Sequence, residues 1–392
     1  MNDYEHALSL KDESIRHRRF FHRNAEVGLH LPQAVQYVTD TLTQYGLSPH
    51  PCGEGVTASI GQGRPVLLLR ADMDALPMPE GSGLPFACPT GKEGHCCGHD
   101  FHAAMLLTAA KLLKEQESDL KGTVKLMFQP GEEIFEGAGN MLAHGLLEEP
   151  KPDAAMAFHI TPGHTPPGTF LYNDSGNALF FSVDGFTITV HGRGSHGAYP
   201  HLSIDPINIG VHIHLALQEL IARECAPQSA CLVTVGQFSA GSAPNIIPET
   251  AVLKGTIRSD APETRELLVR RVREVAEKTA AVYGGTATVE FSAGVPPLIC
   301  DPELTREMVG YLEELPIPEW TGQSGISAAA SEDFALVSAQ IPSTYLHLTA
   351  GFEDERGEAP AHNPKVQFNE DVLPMGAACM VHCATEWLKH HS

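Results

Sequence analysis

Three apolar runs, each closing on a side chain that can move a proton or hold a cation, constrain this 392-residue chain more than any other feature. "PVLLLRADMDALP" ends in Asp72 and Asp74, "GTVKLMFQPGEE" in Glu132 and Glu133, and "DAAMAFHI" in His159. Short apolar runs of this kind read as buried strands. Between them lies "FHAAMLLTAAKLLKEQ", a helix, and ahead of them residues 4–19 and 32–45 read as amphipathic helices, with Gly46 at the second one's end. Strands alternating with helices argue for an α/β sheet covered on both faces. Ligands collect at the carboxyl ends of strands in such sheets, so the three polar ends are expected to converge.

From about residue 184 the pattern changes. "GFTITVHG", "DPINIGVHIHLALQELIARE", "CLVTVGQFSA", "TAVLKGTIRS", "APETRELLVRRVREVAEKTAAVYGG" and "TATVEFSAG" follow in the order β-α-β-β-α-β, a ferredoxin-like α+β unit. "VPPLICDP" reads as a linker back. Helices at 302–314 and 331–339, the strand "STYLHLTAG" and the helix "EDVLPMGAACMVHCATEWLKHH" would complete the first domain. The expected division is therefore 1–183 and 296–392 for a discontinuous catalytic domain, with 184–295 inserted.

Length suits two domains, and 42% hydrophobic against 19% charged residues is the balance of a soluble globular chain. A formal net charge of −22 argues against nucleic acid or an anionic membrane as partner, since both are bound through Lys and Arg. The first residues lack the apolar core of a signal peptide, and no run of about 18 apolar residues is present. Nine scattered cysteines fit reduced thiols in the cytoplasm better than a disulfide framework.

"HCCGHDFH", residues 95–102, gathers ligand-type side chains just before the helix. Alone it reads as a metal site, as a nucleophilic cysteine with its base, or as a His-rich helix start with Asp100 favouring the dipole. Adjacent Cys96 and Cys97 exclude a CxxC redox motif. Glu132, Glu133, His159 and His362, all in the same domain, favour metal: thiolate, imidazole and carboxylate are the ligand set of zinc and its first-row neighbours. The short CxxC-like spacing of a closed structural zinc site is missing.

The ordered series "LRADMDALP", "HCCGHDFHAAMLL", "FQPGEE", "GAGNML", "FHI", "GRGSHGAYPH", "APNIIPETAVLKGTIR", "SEDFA" and "AHNP" resembles the hippurate hydrolase and indole-acetyl-amino-acid hydrolase family. These are aminoacylase-type dinuclear metallopeptidases related to succinyl-diaminopimelate desuccinylases and glutamate carboxypeptidases. The resemblance covers nearly the whole chain. It departs from the family pattern in "HCCGHD" for "HACGHD", "FQPGEE" for "FQPAEE" and "AEVG" for the early "PElG". It implies a zinc-peptidase-like catalytic domain, a mixed sheet flanked by helices, and makes the insert a lid and dimerisation domain.

Carried over residue by residue, the resemblance implies Cys97, His99, Glu133, His159 and His362 as ligands of two divalent ions (Zn, Mn, Co or Ni), with Cys97 bridging. Cys97 rather than Cys96 takes that place because it aligns with the family's single cysteine. Glu132 would be the general base, taking a proton from the attacking water and passing it to the leaving amine. Asp72, Asp74 and Asp100 would accept from ligand imidazoles and fix their tautomers. His102, one turn after His99, reads equally as a structural histidine, and Glu332 equally as a site neighbour or a helix-start acid. In the insert, Arg258 and Asn245 would hold a substrate carboxylate, and His196 would bond the oxyanion from a partner subunit's lid.

The expected function is a cytoplasmic metal-dependent amidohydrolase that cleaves small N-acyl amino acids (N-acetyl, benzoyl or related) to a carboxylate and a free amino acid. It is expected to work as a homodimer or dimer-based oligomer. Rivals with the same site are a dipeptidase or carboxypeptidase and an N-acetyl-diaminopimelate deacetylase. From other classes come a hydrolase with Cys96 or Cys97 as nucleophile and a metal-binding scaffold, in which Glu132 would have no task.

Overall fold

The computed structural model describes residues 2–292 and 294–392. The chain divides into two compact units, one built from the residues up to Asn177 with Ile299–Ile326 and Leu336–Ser392, the other from Ala178–Leu298 with Ser327–Ala335.

The first unit begins with helices α1 (Asp3–Ser9), α2 (Lys11–Arg23) and α3 (Pro32–Gln44) and strands β1 (His50–Cys52), β2 (Gly55–Gly61) and β3 (Val66–Asp72). Helix α4 (His99–Glu115), β4 (Thr123–Gln129), α5 (Gly137–Ala143), β5 (Ala154–Thr161) and β6 (Thr169–Tyr172) follow. The second unit holds β7 (Ala178–Phe180), β8 (Asp184–His191), β9 (Ser195–His196), α6 (Pro206–Arg223), β10 (Cys231–Ala240), β11 (Ile246–Ile247), β12 (Thr250–Ser259), α7 (Pro262–Val282) and β13 (Thr286–Phe291), and β14 (Leu298–Ile299) spans the point where the chain passes back into the first unit. The chain ends with α8 (Pro302–Glu313), β15 (Thr321–Ser324), α9 (Ala335–Ser338), β16 (Ser343–Thr349) and α10 (Val372–His390).

The first unit's sheet runs β1-β2-β4-β3-β5-β16-β6-β15. Its heart is parallel: β3 lies between β4 and β5, and β16 pairs with β5, placing Asp72 opposite Gln129 and His159 opposite His347. Antiparallel β2 joins at β4 and antiparallel β6 at β16, so the sheet is mixed. Every residue of β3, β4 and β16 is buried, which is why β3 and β4 read as mostly apolar runs rather than alternating ones. Parallel pairing puts the carboxyl ends of β3, β4 and β5 on one edge, and with them Asp72, the start of the Glu132–Glu133 turn, and His159.

In the second unit β10-β12-β8-β13 form an antiparallel sheet, with α6 and α7 packed on it around a core that includes Ile188, Leu217, Leu253 and Val272. In sequence order this is β8-α6-β10-β12-α7-β13, the ferredoxin-like arrangement. Among the described residues, no helix is long and apolar enough to cross a membrane.

Two helices differ from the sequence reading. Residues 4–19 do not form one helix; the chain breaks at Leu10, whose N–H donates to Ala7 and whose carbonyl starts α2. The halves pack mainly on different partners, α1 on α10 and α2 on α4. At 331–339 only Ala335–Ser338 is helical. The Glu332 carboxylate accepts from the Phe334 N–H at 2.9 Å, holding the preceding turn out of the helix.

Candidate metal centre

Asp74, just beyond β3, organises the edge of the sheet. Its Oδ1 accepts from the Glu132 N–H and its Oδ2 from the Glu133 N–H, each at 3.0 Å. The Asp74 carbonyl accepts from His99 Nδ1 at 2.9 Å. One residue therefore sets the turn that carries both acids and fixes which His99 nitrogen keeps its proton. With Nδ1 donating, Nε2 is the nitrogen left to bind a cation. That Nε2 is buried, has no hydrogen-bond partner, and lies 3.9 Å from both Glu132 Oε2 and Glu133 Oε1.

His99 opens α4, and Gly98 before it has φ 101°. A Cβ on Gly98 would stand 2.7 Å from the Ile160 side chain, so the glycine lets Cys97 and His99 close onto the end of β5. There His159 Nδ1 donates to the Ile160 carbonyl at 2.6 Å, and its Nε2 lies 3.4 Å from Cys97 Sγ. On the other side of Cys97, His362 Nε2 is 3.3 Å from Glu133 Oε1. His362 sits at φ 62°, a region that costs a side-chain-bearing residue of order 1–3 kcal/mol, and its N–H is tied to the Cys96 carbonyl at 2.9 Å.

Ligand atoms of Cys97, His99 and His159 all lie within 4.8 Å of one another, as do those of Cys97, Glu133 and His362, and those of His99, Glu132 and Glu133. Cys97 belongs to two of these groups, the arrangement a bridging thiolate needs. The donor set fits a pair of first-row ions, and the bare Nε2 of His99 is the clearest sign of a cation's place. Burial pushes the Cys97 thiol up to about 12, with the His99 imidazole pulling the other way. A cation beside it is what would keep this sulfur a thiolate.

His102 is also near His99, but both its nitrogens are spent. Nδ1 donates to Asp72 Oδ1 at 2.5 Å, and Nε2 accepts from the Ile160 N–H at 3.0 Å. It braces β5 under His159, with the rings 4.6 Å apart. Asp72 thus bonds His102 directly, while its Oδ2 lies 2.7 Å from Arg70 Nη1 and 3.6 Å from His99 Nε2. Burial works against the Asp72 charge, yet Arg70 and then the two imidazoles hold its carboxyl well below the usual range.

Asp100, expected beside a ligand imidazole, is turned away from the centre. Its Oδ2 accepts from Arg18 Nε and His22 Nδ1, each at 2.8 Å, so it ties α4 to α2. Arg18, His22 and Arg70 are supporting residues that sequence reading missed. The one signal for Arg70 was a lone cation inside the run "VLLLRAD"; Arg18 and His22 gave none, because basic residues in an amphipathic helix read as its wet face. Cys96 packs in the hydrophobic core, 1% exposed, whereas Cys97 faces the donors.

In the second unit, the β9–β11 ribbon pairs His196 with Ile246, and the Gly197 N–H donates to the Asn245 carbonyl at 2.7 Å. His196 and Asn245 are thereby neighbours. His196 Nδ1 accepts from the Ala198 N–H at 3.1 Å, leaving Nε2–H as the donor of an exposed ring. Arg258, on β12, anchors Nη1 to the Ala329 carbonyl at 2.9 Å and Ser331 Oγ at 2.8 Å.

A model of peptidase family M20/M25/M40 matches residues 68–386. The chain belongs to that family. It is 35% identical over 396 residues to IAA-amino acid hydrolase ILR1-like 2 of Arabidopsis thaliana, spanning 96% of this chain and 86% of the relative. It is 32% identical over 371 residues to N-acetyl-L-cysteine deacetylase of Bacillus subtilis, spanning 93% and 86%. A solved structure of the Bacillus subtilis YXEP protein, described as a dinuclear metal binding peptidase of the M20 family, superposes with a TM-score of 0.82 at 28% identity, covering 97% of this chain and 99% of that one. Family membership and the donor set together make this chain a metallo-amidohydrolase with a two-metal site.

The Asp74 arrangement carries a test. Asp74→Asn replaces one acceptor oxygen by an NH2 facing a backbone N–H. Loss of an outer group of this kind weakens metal binding roughly 10–100-fold. Chelator competition is expected to show a weakening of that order in the folded variant, and an unchanged affinity would mean that Asp74 does not set the centre.

Proposed function

We propose that this enzyme hydrolyses the amide bond of small N-acyl amino acids, giving a carboxylate and a free amino acid. The observation that carries the reading is the Glu132–Glu133 pair, whose adjacent N–H groups are pinned by one aspartate while the side chains reach the same imidazole. Adjacent acids held this rigidly have separable tasks: Glu133 joins Cys97, His99, His159 and His362 as a ligand, and Glu132 handles protons. Bound there, two divalent ions (zinc, manganese, cobalt or nickel) would polarise the amide carbonyl and acidify the attacking water.

Glu132 is 6% exposed, so its carboxylate works in a poorly hydrated setting where proton transfer is not lost to bulk water. It takes the proton from the attacking water and delivers it to the leaving nitrogen. The Arg258 guanidinium, with Nη1 anchored, keeps donors for a substrate carboxylate, and Asn245 assists. His196, with Nε2–H as its donor, stabilises the tetrahedral oxyanion. Names of relatives support the substrate class, since one is a hydrolase of IAA-amino acids and another a deacetylase of N-acetyl-L-cysteine. The charge of −22 and nine free thiols support action in the cytoplasm, away from nucleic acid and anionic membranes.

We also propose a homodimer built on the second unit. Ile207, Val211 and Leu215 repeat every four residues on α6 and are 39%, 44% and 57% exposed. Beside them β10 is an edge strand carrying the exposed Phe238. An apolar stripe next to an open edge is a surface that a second copy would cover.

Release of amino acid from a panel of N-acetyl, N-benzoyl and indole-acetyl conjugates and dipeptides, with each metal supplied in turn, tests the substrate class. Activity confined to dipeptides would replace this reading by a peptidase one. Glu132→Gln is expected to keep its metal and lose roughly 10²–10⁴ in turnover, and His196→Ala roughly 10²–10³, also with metal retained. Near-normal turnover in either metal-loaded variant removes that residue from its role. For the dimer, sedimentation velocity is expected to show the wild type as a dimer and Val211→Glu/Leu215→Glu as a folded monomer. A dimer that survives both charges would place the interface elsewhere.

A further inference from the structure

All nine cysteines are free, and Cys225 and Cys231 in the second unit take no part in the chemistry above. Their backbones are fixed from both sides. Helix α6 ends at Arg223, and the Cys225 N–H still donates to the Leu220 carbonyl at 3.3 Å. A turn closes next, with the Ser229 N–H on the Ala226 carbonyl at 3.0 Å. Ala230 is then clamped to Asp260 twice: its N–H donates to Oδ2 at 3.1 Å, and its carbonyl accepts from the Asp260 N–H at 3.0 Å. Cys231 enters the β10–β12 ladder opposite Ser259.

The turn brings both residues back against the same apolar cluster of the second unit, with the Cys225 side chain close enough to act on the Cys231 thiol. Burial, and after it contact with the Cys225 thiol, pushes Cys231 up to about 12. Both residues are only half-buried, so a small oxidant reaches them. Two other pairs that are close in sequence are not placed to bridge. Cys96 and Cys97 are adjacent in sequence; Cys379 and Cys383 lie one turn apart on α10, where Cβ atoms stand about 5–6 Å apart, beyond the roughly 4 Å of a disulfide.

We propose that Cys225 and Cys231 are a redox modification site, converted by a peroxide into an intramolecular disulfide that clips the end of α6 to the start of β10. The Cys225 thiolate attacks the terminal peroxide oxygen, the O–O bond breaks, and a sulfenic acid forms with release of an alcohol, or of water from hydrogen peroxide. The Cys231 sulfur then attacks the sulfenyl sulfur, the S–O bond breaks, and a second water leaves with the thiol protons. Two thiols are oxidised, one peroxide is reduced, and dithiothreitol reverses the bond by exchange. The clip joins the two elements that bear the exposed apolar residues of the proposed dimer face and leaves the candidate metal ligands unmodified.

The test uses the metal-loaded enzyme treated with hydrogen peroxide, blocked with N-ethylmaleimide and digested with trypsin. Cleavage after Arg223 and Lys254 places Cys225 and Cys231, and no other cysteine, in one peptide. That peptide is expected to lose two hydrogens, to take up no maleimide, and to regain both thiols after dithiothreitol. In Cys231→Ser, Cys225 is expected instead to carry an oxygen that dimedone captures. Two maleimides on the wild-type peptide, under peroxide strong enough to oxidise methionine in the same sample, would overturn the proposal. So would either thiol joined to a different cysteine or to a second subunit on a non-reducing gel. Because the readout is mass rather than turnover, it stands apart from the substrate reading.

Discussion

Everything at the catalytic edge depends on where the Asp74 side chain and carbonyl point. Both carboxylate oxygens are committed to the successive N–H groups of Glu132 and Glu133, and the carbonyl to His99. Those bonds join the end of β3, the turn after β4 and the first residue of α4, three segments that meet only in the folded sheet. Burial pushes the Asp74 carboxyl upward, with the His99 imidazole as its largest opposing influence. The cost of burying it is offset by the hydrogen bonds it receives, and its placement decides which His99 nitrogen is bare.

Behind that layer sits a second, in which charged and polar side chains face one another. Arg70, Asp72 and His102 form a chain ending on the Ile160 N–H, directly under His159. Arg18 and His22 close on Asp100 from α2. Distance alone would group Asp72 and His102 with His99 as a metal site. Hydrogen-bond accounting separates them: each His102 nitrogen already has a partner, whereas His99 Nε2 has none.

The sequence made the strands and their polar ends legible because burial on both faces leaves a mostly apolar run, as in β3 and β4. The β8-α6-β10-β12-α7-β13 order was legible for the same kind of reason, since alternation in period marks its elements. Side-chain direction was not. Cys96 and Cys97 differ by one position and point to opposite environments, one into the core and one to the donors; only resemblance to a family separated them. Asp100 was read as a partner of ligand imidazoles, but the residues that claim it are some 80 positions away on α2. The break at Leu10 carries no Gly or Pro signal; the two halves pack mainly on different helices, which the sequence does not announce.

We propose Cys97 as a donor that two metal ions would share, and metal content tests this without reference to any substrate. Purified wild-type protein and Cys96→Ser are predicted to hold about two ions per chain, as a two-metal site requires, while Cys97→Ser, folded but with a hydroxyl in place of the thiolate, holds fewer. Equal loss in both variants, or loss in Cys96→Ser alone, would contradict the account.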